Sequence, residues 1–388
     1  MSRRYLGGWI QDGLFNPLAA PTGIPAYTYE LWSWGEGANG ILGLGNTTNY
    51  SSPKQVGALT TWSKVSAGAS FSLATKTDGT LWSWGSNPVG QLGLGTSGAG
   101  TYKSSPTQVG ALTTWLNIAC GQYFSIATKT DGTLWSWGSG GSGQLGLGNL
   151  TNYSSPKQVG ALTTWSTIAG GGNHTLAIKT DGTLWAWGSN VSGQLGLGNT
   201  TSYSSPKQVG ALTTWSKIAG GNKHTIATKT DGTLWSWGLG TAGQLGRSTT
   251  TNYSSPVQVG ALTTWLNIAC GYVHTLATKT NGTLWVWGGN NAGQLGLGTS
   301  GAYTNQSSPV QVGALTTWST VSGAGSGIAA SLSGAIKTDG TLWSWGFNTS
   351  GQLGQGNTTN RSSPVQVGAL TTWYAVSTAP SFTIALKY

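Results

Sequence analysis

The stretch His224-Thr-Ile-Ala-Thr-Lys-Thr-Asp-Gly-Thr-Leu-Trp-Ser-Trp-Gly238 decides the fold. It holds two short apolar runs, 224–229 and 233–238, on either side of Asp231-Gly232. Asp-Gly between two such runs is a strong hairpin signal, and a type I′ turn there puts both central residues at positive φ. Working outward, 208–212 and 215–219 read as two further extended runs, the second closed by Gly220-Gly221. Four strands therefore fill one unit of about fifty residues. No segment carries the apolar period of a helix.

The unit recurs around the whole chain. Leu-Trp-x-Trp-Gly occurs seven times, with its second Trp at 34, 84, 137, 187, 237, 287 and 345. Each copy runs on through Gly-Gln-Leu-Gly (Gly40-Ile-Leu-Gly43 in the first), Ser-Ser-Pro and Gln-Val-Gly-Ala-Leu-Thr-Thr-Trp. Of the 22 tryptophans only Trp9 falls outside these repeat positions, which marks the others as core. Seven four-stranded units predict an all-β, seven-bladed β-propeller. The chain ends complement each other. Residues 384–388 read as a third strand with no turn or fourth strand after it, and 29–35 as a fourth strand with no third before it. The N-terminal strand is thus expected to close the ring by pairing with the C-terminal strands, through Leu31, Trp32, Trp34, Ile384 and Leu386; closure removes exposed sheet edges. The expected division is an N-terminal arm, 1–26, and a propeller, 27–388.

Charged residues make up only 7% of the 388 residues, yet the net charge is +10. No twenty-residue apolar span exists, so no membrane insertion is expected. Seven lysines (Lys76, Lys129, Lys179, Lys229, Lys279, Lys337 and Lys387) share one repeat position, and Asp comes two residues later in five of the seven. The other basic residues, among them Lys54, Lys157, Lys207, Arg247 and Arg361, fall in different repeats. Nucleic-acid binders gather their basic residues on one face, so a nucleic-acid partner is not expected. Arg3-Arg4 with Tyr5-Leu6 has the look of an export signal, but the segment after Leu6 is short, polar and interrupted by Asp12; neither signal peptide nor anchor is expected.

Leu-Trp-Ser-Trp-Gly-x-Asn-x-x-Gly-Gln-Leu-Gly, Ser-Ser-Pro-x-Gln-Val and Ile-Ala-x-Gly-x-x-His-Thr-Leu-Ala-x-Lys-Thr-Asp-Gly-Thr together resemble the repeat of the regulator of chromosome condensation family across 27–388. The resemblance implies a seven-bladed propeller with one split blade. It does not imply one function, since fold and function separate. Exchange activity on a small GTPase, known among the family, is not expected, because few polar residues outside the repeat could form a wedge. Ser2-Arg-Arg-Tyr-Leu-Gly-Gly8 and the Pro-rich stretch after it resemble the leader of small virion proteins of tailed phages.

The residues offer little chemistry. His174, His224 and His274 share one repeat position, which other copies fill with Phe71, Phe124, Leu332 and Phe382. A place that takes Phe and Leu is a packing place, so no metal is expected there. Cys120 and Cys270 lie in repeats 2 and 5, too far apart around a ring for a disulfide. Of eight acids, five (Asp78, Asp131, Asp181, Asp231 and Asp339) are hairpin-turn residues. No catalytic set can be assembled, and neither enzyme activity nor a cofactor is expected. Contact is expected from the variable loops, through Tyr50, Tyr153, Tyr203, Tyr253 and Tyr303, and from the insertion 323–334 with Ser326. The alternative is that the tyrosines cover blade edges. Arg3, Arg4, Tyr5 and Trp9 are candidate docking residues of the arm. The leading expectation is a phage virion structural or host-contact protein, located in the virion and docked through its arm onto a virion component or host surface. The alternatives are a free protein-binding propeller (inhibitor or adaptor), cytoplasmic or extracellular, and a module with a glycan partner.

Overall fold

The computed structural model describes residues 29–301, 303–324 and 331–388. Their strands form seven antiparallel sheets of four, each one a blade. The innermost strands of blades 1 to 6 are Trp62–Ala67, Trp115–Cys120, Trp165–Gly170, Trp215–Gly220, Trp265–Cys270 and Trp318–Gly323. Blade 7 is assembled from both ends of the described chain, in the order Trp373–Thr378, Phe382–Lys387, Glu30–Gly35 and Tyr50–Gln55. Glu30–Gly35 pairs with Phe382–Lys387 over its whole length, with Leu31 opposite Leu386, Trp32 opposite Ala385 and Ser33 opposite Ile384. The expected closure is therefore present. The arm, including Arg3, Arg4, Tyr5 and Trp9, lies outside the described residues, as does Ser326.

Blade 4 shows how the sequence builds a blade, and where the first expectation is corrected. Its strands are Trp215–Gly220, His224–Lys229, Leu234–Gly238 and Tyr253–Gln258. The run 208–212 is no strand. The extended segment is Tyr203–Gln208, the outermost strand of blade 3, and Gly210 turns the chain away at φ 61°. Pro206 lies inside this strand. It is accommodated because the outermost strand pairs on one side only, and because a bulge lies between the pairs Trp185↔Gln208 and Gly188↔Tyr203.

The hairpin turn also differs from the type I′ form. Asp231 does not have positive φ; Gly232 does, at 77°. The Gly232 amide donates to the Lys229 carbonyl at 3.0 Å, and the Lys229 amide to that of Thr233 at 3.1 Å. This is a three-residue loop, a type I turn followed by a left-handed glycine. The aspartate selects it, because Asp231 Oδ1 accepts from both the amide and the hydroxyl of Thr233 (2.9 and 2.6 Å).

The core lies between blades. Trp237 is fully buried, and its indole N–H donates to the Gln194 carbonyl of blade 3 at 2.9 Å. The equivalent bond recurs at each junction at 2.9–3.0 Å, including Trp34 to Gln352 across the closing junction. Trp215 packs edge-on against Trp235 and Trp237, with ring centroids 6.0 and 5.9 Å away. Strand alternation sorts the loops onto two faces. One carries the Asp-Gly hairpins and the Gly-Ala-Leu-Thr-Thr links; the other carries the longer, variable loops.

Candidate functional site

On the hairpin face, every blade but the seventh repeats one chain of contacts. Trp235 donates its N–H to the Thr233 hydroxyl (2.9 Å), which donates to Asp231 (2.6 Å). Lys229 lies 3.7 Å above the Trp235 ring. The five hairpin carboxyls are held below their usual range, first by the Thr hydroxyl and then by the Thr amide. These lysines and aspartates are spent on the turn and on cation–π contact.

Blade 7 has lost that turn to the chain break, and Glu30 replaces it. Its Oε2 accepts from the Trp32 indole at 2.9 Å and lies 3.2 Å from the Lys387 ammonium. Lys387 in turn sits 4.4 Å over Trp32. Beside it Tyr29 stacks on Tyr374 (4.2 Å) and meets Tyr388 (5.2 Å). Burial, then Tyr374 and Tyr388, push the Tyr29 phenol far up.

The three histidines are fully buried in consecutive blades. Each shares Nε2 with a hydroxyl of the next blade: His174 with Thr225 (3.2 Å), His224 with Thr275 (3.3 Å) and His274 with Ser333 (2.9 Å). Their Nδ1 atoms are buried without a partner. Burial pulls His174 down to about 4 and His224 and His274 down to about 3. Cys120 and Cys270 are free and buried, and burial pushes the Cys120 thiol up to about 12. Among the described residues no group of three His, Cys, Asp or Glu side chains could hold a metal. None of their helices is long and apolar enough to cross a membrane.

Of the tyrosines named as contact residues, Tyr50, Tyr153, Tyr203 and Tyr253 open the outermost strands. Tyr50, Tyr153 and Tyr203 are half-buried, and each hydroxyl receives an Asn side-chain N–H, from Asn46, Asn149 and Asn199 at 3.1–3.4 Å. Lys54, Lys157 and Lys207 lie over their rings at 5.3–5.6 Å. Tyr253 has Arg247 at 5.3 Å. Tyr303, on a longer loop, is wholly exposed.

One feature was not expected from the sequence. Between the outer parts of blades 2 and 3 runs a groove of about 410 Å³, lined by Leu147, Val159, Leu162, Trp165, Trp185 and Pro206. Leu162 is 47% exposed at its mouth, and Trp185 forms a half-buried wall. The link leucines Leu59, Leu112, Leu212, Leu262, Leu315 and Leu370 are exposed to a similar degree, one per link. An unvaried, exposed leucine in every repeat was the signal available.

The fold and these surfaces can be set beside known proteins. A family model for the RCC1-like domain matches residues 26–259. The model for the regulator of chromosome condensation (RCC1) repeat matches 281–330 and 339–386. The E3 ubiquitin-protein ligase HERC2 of Homo sapiens, and that of Mus musculus, is 30% identical over 122 residues, 30% of this chain. The match spans 2% of the length of these relatives. The crystal structure of human WBSCR16 superposes with a TM-score of 0.80 at 21% identity, covering 93% of this chain and 99% of that one. Yeast RCC1 (Prp20), solved bound to Kap60, gives 0.81 at 22% identity over 93% and 89%. Prp20p from Saccharomyces cerevisiae, whose binding to Gsp1p and histones was described with its structure, gives 0.80 at 21% over 94% and 92%. At such identities the structures speak for the fold alone.

Proposed function

The chain belongs to the regulator of chromosome condensation (RCC1) family, and from that premise we propose that it is a protein-binding propeller without catalysis of its own. The groove between blades 2 and 3 carries this reading. It offers an aromatic wall, an exposed leucine and a proline at the outer surface, the composition that seats a side chain of a partner. The binding of Kap60, Gsp1p and histones by yeast relatives supports the reading without naming this chain's partner. Leu162→Asp places a charge at the groove mouth while leaving the buried tryptophans in place. We expect that variant to keep its fold and to lose at least tenfold in affinity for a partner captured by the parent chain. Undiminished affinity sinks the groove as the contact.

Two finer readings are proposals of their own. Attachment to a virion through residues 1–26 requires the chain among the proteins of purified particles, and its absence there ends that idea. A glycan partner requires binding on a glycan array that falls when Tyr50, Tyr153, Tyr203 and Tyr253 become Ala.

A further inference from the structure

The hairpin face is nearly balanced in charge, and the excess positive charge lies elsewhere on the ring. On the hairpin face the seven repeat lysines meet six carboxylates, those of Glu30, Asp78, Asp131, Asp181, Asp231 and Asp339. The nine other basic side chains among the described residues share a single further carboxylate, Glu36. Two of the nine, Lys64 and Lys217, sit on innermost strands and donate to the carbonyls of Leu116 and Leu266 and the amide oxygens of Asn117 and Asn267.

Five of the rest lie on outermost strands: Arg361 in blade 6, half-buried and donating its Nε–H to Gln355, and four lysines in the next four blades around the ring, Lys54 in blade 7, Lys103 in blade 1, Lys157 in blade 2 and Lys207 in blade 3. All four lysines are exposed. At the repeat position of Lys54, Lys157 and Lys207, blades 4, 5 and 6 carry Val257, Val310 and Val365. The exposed rim lysines thus form one arc, blades 7 and 1 to 3, with the half-buried Arg361 beyond its blade 7 end and valines at the lysine position of blades 4 to 6. In sequence these lysines stand in different repeats, which spoke for dispersal. Ring closure places blade 7 beside blade 1 and makes them neighbours. The groove lies inside the basic arc: Gln158 on its wall follows Lys157, and Pro206 precedes Lys207.

We propose that the outer edges of blades 7, 1, 2 and 3 dock an acidic polypeptide segment, which seats one apolar side chain between blades 2 and 3 and turns its carboxylates to the rim lysines. The proposal rests on the protein-binding reading above. Charge complementarity selects the acidic partner. A proline in each outermost strand of the arc (Pro53, Pro106, Pro156 and Pro206) removes a backbone donor, so strand addition along that edge is disfavoured and side chains must do the holding. The cations are also sparse, about one per blade. Duplex nucleic acid carries a charge every ~1.7 Å and would call for denser ones.

The test uses the full chain and fluorescence anisotropy with two labelled probes: a polyglutamate peptide, and the same peptide carrying one leucine. The leucine-bearing peptide should bind more tightly than polyglutamate. The variant Lys54→Gln/Lys103→Gln/Lys157→Gln/Lys207→Gln should weaken both at least tenfold at low salt. Lys223→Gln/Arg247→Gln removes charge outside the outermost strands and should change both less than twofold. Leu162→Ser should erase only the advantage of the leucine. Near-ultraviolet circular dichroism of the tryptophans verifies folding. Equal losses from both charge variants, or no binding by the parent chain, overturn the proposal. So does duplex DNA held more tightly than either peptide by the same lysines. A protein captured equally by the parent and the four-lysine variant refutes the rim but spares the protein-binding reading. A parent chain that captures no protein at all refutes that reading itself.

Discussion

Replacing the three buried histidines by phenylalanine should make the ring resistant to mild acid. The perturbation is one the chain already contains. Phe71 and Phe124 occupy the same repeat position, and a Cβ at Gly68 would lie 2.1 Å from the Phe71 ring, just as one at Gly171 would lie 2.1 Å from the His174 ring. The rings therefore fill the same shape beneath a backbone that must be glycine. His→Phe costs one shared hydrogen bond and removes a buried nitrogen without a partner, so the net effect at pH 7 should stay within about 1 kcal/mol per site. The acid effect is larger. Burial holds the folded-state values at about 4, 3 and 3, below the ordinary 6.5. The stabilisation from keeping each ring neutral is complete above pH 6.5 and is lost as pH falls toward the folded values, because the unfolded chain takes up the protons first. At one pKa unit per ~1.4 kcal/mol, pH 4.5 costs roughly 2–3 kcal/mol per histidine, or about 8 for three. That is as much as the whole stability of many domains. Urea unfolding of the parent and of His174→Phe/His224→Phe/His274→Phe at pH 7 and pH 4.5 measures it. The hairpin aspartates titrate below this window, since their carboxyls are held low. If the triple variant loses as much stability between the two pH values as the parent, buried neutral histidine is not the cause.

Three further expectations concern the frame. Glu30→Ala removes the ion pair and leaves the Trp32 indole without its acceptor, which should cost about 1–2 kcal/mol in urea; Glu30→Thr, the residue of the other blades, should recover the indole bond but not the ion pair. Gly232→Ala should destabilise by more than the ~1–2 kcal/mol of a left-handed alanine, since its Cβ would lie 2.1 Å from the Thr263 carbonyl. Gly210→Ala, with open space around it, should cost only that conformational penalty, and equal costs at the two sites would show that the contact is unimportant. A chain starting at Gly35 loses the strand that closes blade 7 and should melt well below the full chain and associate through the opened edge; equal melting temperatures would contradict closure.

The hairpins, the split blade and the seven-fold order were legible because each is local or recurs. Trp237 and its six equivalents announce a buried place by repetition alone. The outermost strand was misplaced because Tyr203–Gln208 shows no apolar alternation, whereas the apolar run Val209-Gly-Ala-Leu212 follows it. The turn type was missed because it is Thr233, two residues on, that draws Asp231 into a type I turn. Glu30 could have been found: in six copies the residue two before the partly exposed Trp is Thr, and in the seventh it is Glu. The basic arc could not be found by reading along the chain. Lys54 and Lys207 are 153 positions apart in sequence and three blades apart in the ring.

The closing pair also determines how the ring answers to force. Glu30 lies opposite Lys387, at one end of the antiparallel pair that closes the ring. A load applied between those two points does not shear the strands lengthwise, with all their backbone bonds sharing the strain. It peels them apart, one bond after another, beginning with the Glu30–Lys387 contact. A molecule stapled by tryptophan at every junction should therefore yield to low forces when pulled at its seam. Pulled between two hairpins on opposite sides of the ring, it should resist far longer.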